Sequence, residues 1–143
     1  MKYSHALILA SSLAFFACGD DDDSPTSAKS GYDCTVSDGV KVVYPAGGET
    51  FTVGDEITVV FGSDVEDNGY KILFRTDADD LGFNLSNESE GPEGKADGKT
   101  CYEVKVKLSA ENGVKPTTTG FITVRPYNKG MKGGDSKTFT VKK

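Results

Sequence analysis

The alternation of apolar and polar positions is the clearest signal in this chain. From Tyr32 onward, short runs with a two-residue period are separated by Gly, Pro, Asn and Asp, as in antiparallel strands joined by turns. Val40–Tyr44 is the first such run, stopped by Pro45 and the Gly47-Gly48 pair. In residues 57–61, Ile57, Val59 and Phe61 share one face. Residues 70–76 form a third run, and Leu81, Phe83 and Leu85 alternate briefly in a fourth. The cleanest run is 101–108, where Tyr102, Val104, Val106 and Leu108 face one way and Glu103, Lys105 and Lys107 the other, so one face is wet. Residues 121–125, stopped by Pro126, and 138–141 complete the set. Residues 34–37 offer a short extra edge strand through an Asp38-Gly39 turn, and 87–100 reads as an exposed loop. No long helical periodicity competes. About seven strands predict an all-β fold, an immunoglobulin-like antiparallel β-sandwich spanning residues 32–143.

Ahead of that domain the pattern changes. Lys2 supplies a positive start, Ala6 to Phe16 an apolar run, and small Ala17 precedes Cys18, the order of a secretory signal peptide over residues 1–17. The run is too short to span a bilayer, which takes about 20 residues. Gly19, four consecutive aspartates from Asp20 to Asp23, and Ser24-Pro25-Thr26-Ser27 follow. So polar a stretch buries nothing, so 18–31 is expected to be a disordered tether.

Composition narrows the function classes. A net charge of -6 with no Lys- or Arg-rich run argues against a nucleic-acid partner, because phosphate binding needs a basic surface. His5 is the one histidine and falls inside the leader. The processed chain then lacks the imidazole of a Ser-His-Asp or Cys-His pair and of a histidine-ligated zinc site. No enzymatic activity, cofactor or metal site is expected.

The acidic stretches are read as solvated turns. Asp77, Asp79 and Glu88 occupy the first, third and twelfth positions of a calcium-type loop with Gly82 at the sixth, but Leu81 stands where a ligand oxygen is needed. Residues 64–69 end in Asn68-Gly69, a hairpin-turn signal. Tyr70 and Tyr127 lie near strand ends, where their rings are candidates for stacking on sugars; rim or core packing is the alternative.

Residues Phe15-Phe16-Ala17-Cys18 resemble a bacterial lipobox. The resemblance implies cleavage before Cys18 and its acylation with palmitate-type chains, each buried methylene contributing about 0.8 kcal/mol of membrane affinity. By similarity to Gram-negative lipoproteins, Gly19 implies sorting to the outer membrane. The acidic run resembles a surface-export signal and implies exposure on the cell surface, with a periplasm-facing orientation as the alternative. With Cys18 assigned to lipid, Cys34 and Cys101 remain as a candidate disulfide pair, against the alternative of two buried free thiols.

The segment Val43-Tyr44-Pro45-Ala46-Gly47-Gly48-Glu49-Thr50-Phe51-Thr52-Val53-Gly54-Asp55 resembles the module start of the Kre9/Knh1-type immunoglobulin-like domain family. Ala46 stands where that family has Asn, and Phe61 where it has Trp. Its modules are spacers or binding domains, so the resemblance implies fold more than ligand. The expected function is a non-catalytic cell-envelope lipoprotein whose sandwich mediates adhesion or assembly with other surface proteins. The alternative is a carbohydrate-binding accessory lipoprotein acting on polysaccharide or cell-wall glucan. A coplanar row of exposed tyrosines would favour sugar, and its absence protein contact.

Overall fold

The computed structural model describes residues 31–86 and 90–143. Among them are eleven strands: β1 (Val40–Tyr44), β2 (Thr50–Thr52), β3 (Glu56–Ser63), β4 (Glu66–Asp67), β5 (Tyr70–Arg75), β6 (Phe83–Asn84), β7 (Gly94–Lys95), β8 (Tyr102–Lys107), β9 (Thr117–Pro126), β10 (Gly134–Asp135) and β11 (Phe139–Lys142). The expected seven correspond to β1, β3, β5, β6, β8, β9 and β11. The count is corrected upward by β2, β4, β7 and β10, pieces of two or three residues too short to show a periodic run, with Phe51 of β2 the one apolar side chain among them. Residues 34–37 form no strand; Val36 instead donates its N–H to the Gly98 carbonyl.

The strands make a sandwich. One sheet has the order β1-β3-β8, and the other β2-β11-β9-β5-β6 with β10 also on β9; β4 and β7 pair separately. Pairing is antiparallel except between β2 and β11, which run parallel. Chain order crosses between the two layers at five steps, from β1 to β2, β2 to β3, β3 to β5, β6 to β8 and β8 to β9, as in an immunoglobulin-like sandwich. The inner faces follow from the two-residue period. Val59, Phe61, Val104 and Val106 of the small sheet meet Ile72, Phe74, Ile122, Val124 and Phe139 of the large one, all buried. Phe61 packs against Tyr70 and Tyr102 with ring centroids 5.5 and 5.7 Å apart.

The Pro-Ala-Gly-Gly-Glu motif is where the chain first changes sheets. β1 belongs to the small sheet and β2 to the large one, with the turn between them. Gly47 and Gly48 hold φ values of +112° and +86°, open to glycine without a side-chain clash. Glu49 locks the turn, its carboxylate accepting from the Ala46 and Gly47 amides at 2.7 and 2.8 Å.

Candidate functional site

Cys18, the expected lipidation site, lies outside the described residues. Cys34 and Cys101 are disulfide-bonded, their Cα atoms 5.3 Å apart. The bond does not join the two sheets. It lies over the outer face of the small sheet, where Gly62 of β3 makes room: a Cβ there would overlap the Cys34 carbonyl oxygen. The segment before β1 is thereby fastened to the start of β8, across β3 from it.

The tyrosine candidates divide. Tyr70 is fully buried, so its assignment to sugar stacking is corrected to a core role. Its two-residue register with Ile72 and Phe74 points it inward, and its hydroxyl is spent on Ser63 Oγ at 2.7 Å and the Val65 carbonyl at 3.1 Å. Tyr127 is 40% exposed, with the Lys71 ammonium 5.8 Å from its ring centroid. Tyr32, Tyr44 and Tyr102 are half-buried, so the described residues present no row of exposed tyrosines.

The acidic turns serve the backbone. Asp64 accepts from the Asp38 and Gly39 amides at 2.6 and 2.8 Å, and these bonds lower its pKa. Burial works to raise Asp67, yet the Asn128, Asn68 and Lys129 amides and the Asn128 side chain outweigh it and leave the pKa lowered. Asp97 accepts from Thr100, through amide and hydroxyl, and from the Lys99 amide, which holds it at about 2. In the calcium-like stretch, Asp77 accepts from the Asp79 amide, and Asp80 from the Gly82 amide and from Thr76. Glu88 is outside the described residues. Among those described, no three His, Cys, Asp or Glu side chains cluster to hold a metal ion.

Two hollows lie at opposite ends of the sandwich. One, of about 250 Å³, is lined by Asp38, Asp64, Glu66, Lys95, Lys129 and Lys132, where Lys132 already pairs with Asp38 at 2.6 Å. The other is an open groove of about 740 Å³, inside the range of roughly 300–1,000 Å³ usual for small-molecule sites. It lies between the turn after β5 and the turn before β9. Phe83 gives it aromatic surface, Phe74 borders it from within the core, and Thr76, Thr117, Thr119, Asp77, Asp80 and Lys115 give it polar groups.

Phe83 is placed there by a glycine. Gly113 ends the 3₁₀ turn Ala110–Asn112 at φ +91°, and a Cβ on it would run into the Phe83 ring. The ring thus rests on bare backbone and stays 44% exposed. Sequence reasoning missed this site because its residues come from separate turns. Thr117 and Thr119 carry no apolar alternation, and the exposure of Phe83 follows from β6 being a sheet edge. No family model, curated protein or solved structure matches this chain.

Proposed function

We propose that this chain is a non-catalytic lipoprotein of the cell envelope, anchored through Cys18 to the outer membrane and exposed on the cell surface, whose sandwich mediates adhesion or assembly with other surface proteins. The cysteine count carries the reading: with Cys34 and Cys101 bonded to each other, Cys18 is the one thiol left, directly behind an apolar leader and ahead of an acidic tether. The acidic groups support the non-catalytic part. A glycosidase of the two-carboxylate type needs a carboxyl with a raised pKa as its general acid. Asp64, Asp67, Asp80 and Asp97 are all shifted the opposite way.

Metabolic labelling with radioactive palmitate tests the anchor. Label is expected on the wild-type chain and absent from Cys18→Ala; an unlabelled wild-type chain overturns the proposal. Protease treatment of whole cells should remove the domain, and survival of the domain in intact cells would place it on the periplasmic side. Cross-linking in cells should join it to other envelope proteins.

A second reading, the carbohydrate-binding accessory lipoprotein, is favoured by one observation: a groove with an exposed aromatic ring and a hydrogen-bonding wall.

A further inference from the structure

We infer that the groove at Phe83 is a binding site for an uncharged pyranose of a glycan chain. This rests on the carbohydrate-binding reading and assigns it to residues other than the tyrosines.

The hydrogen-bonding character of the wall selects the ligand. Thr119 Oγ1 donates to the Thr76 carbonyl at 3.0 Å, so its contact with Thr117 Oγ1 at 3.2 Å uses the Thr117 proton. Thr76 Oγ1 donates to Asp80 at 3.3 Å. All three hydroxyl protons are therefore spent within the protein, and what these groups offer a ligand is acceptor oxygen. Asp77 and Asp80 add carboxylate oxygens, and Asp80 has its pKa lowered by the Gly82 amide. A matching ligand is rich in donors.

Two further features restrict it. Lys115 lies on the same groove, exposed, with no partner among the described residues. Its ammonium opposes a cationic donor such as a lysine or arginine side chain and is free to donate to a ligand acceptor. The exposed Phe83 ring offers a flat apolar surface that a matching face can cover. A polyhydroxylated ring meets all three conditions: its hydroxyls donate to the aspartates and threonines, the same kind of oxygen accepts from Lys115, and its C–H face covers the Phe83 ring.

The test uses the exported chain, purified in a detergent without a sugar headgroup, with maltose, cellobiose and lactose as probes and trilysine as the cationic comparison. Saturation-transfer NMR should show at least one disaccharide bound, with transfer concentrated on the ring protons of one face. Phe83→Ala and Lys115→Ala should each weaken that binding roughly tenfold, whereas Phe83→Tyr should retain it. Lys115 is exposed, so an unchanged thermal midpoint in Lys115→Ala separates lost binding from lost folding. Binding that persists unchanged in Phe83→Ala and Lys115→Ala would overturn the groove while leaving the carbohydrate reading standing. Failure of all three disaccharides would overturn both, and Phe83-dependent capture of trilysine would make the groove a cationic peptide site instead.

Discussion

At the scale of single residues, the acids of this domain act as locks on its turns. The pKa values of Asp64, Asp67, Asp80 and Asp97 are lowered in the folded chain, Asp97 to about 2. An unfolded aspartate has a pKa of about 3.9, so the contribution of each lock is complete above that value and is lost as pH falls through the lowered one. Urea midpoints should therefore be flat near neutrality and drop between about pH 4 and pH 2. Asp97→Asn, which stands in for the protonated acid, should flatten the acid limb by lowering the neutral midpoint towards the acid one. Tyr70 provides a second test, because its buried hydroxyl serves Ser63 and Val65. Tyr70→Phe should cost about 1–2 kcal/mol in denaturant unfolding without altering the groove at Phe83. Its inward direction was legible in the sequence, since Tyr70, Ile72 and Phe74 share one parity. What the parity leaves out is the opposite sheet, which closes over that face.

At the scale of elements, alternation reveals strands that bury a face and is silent on those that do not. β8, with Val104 and Val106 inward and Lys105 and Lys107 exposed, could be read directly. β4 and β7, the pairs Glu66-Asp67 and Gly94-Lys95, pair with each other, and β4 is held further by Asp67, whose carboxylate accepts from Asn68 and Asn128; neither strand shows apolar alternation. β9 begins at Thr117, before its first apolar residue, because Phe139 and Val141 of β11 pair with Gly120 and Thr117. The Pro-Ala-Gly-Gly-Glu turn was legible as a turn, but its role in moving the chain between sheets was not, since a strand carries no mark of its layer. Glu49→Ala removes both amide contacts of that turn and is expected to lower stability by about 1 kcal/mol, measured by denaturant melts. Gly62→Ala is expected to cost more, about 1–3 kcal/mol, because a methyl group there must displace the Cys34 backbone.

At the scale of the molecule, the sandwich is one core closed by a long covalent loop. Cys34 and Cys101 stand 67 residues apart, and in the chain-entropy model such a bridge contributes about 4 kcal/mol. Reduction, or replacement of both cysteines by alanine, should lower the unfolding free energy by an amount of that order. The same bond governs how the domain answers a mechanical pull. Tension entering at Tyr32 reaches Cys34 and passes through sulfur to Cys101, so β1 to β7 lie inside a loop that the pull bypasses. Without the bond the same tension would act on β1, at the edge of its sheet, and peel it from β3 pair by pair. Stretched between its ends in a force spectrometer, the oxidised chain should come up shorter than the reduced one by about 230 Å, at roughly 3.3–3.6 Å per released residue. Under an end-to-end pull, seven of the eleven strands among the described residues stay out of the line of force as long as the bond holds.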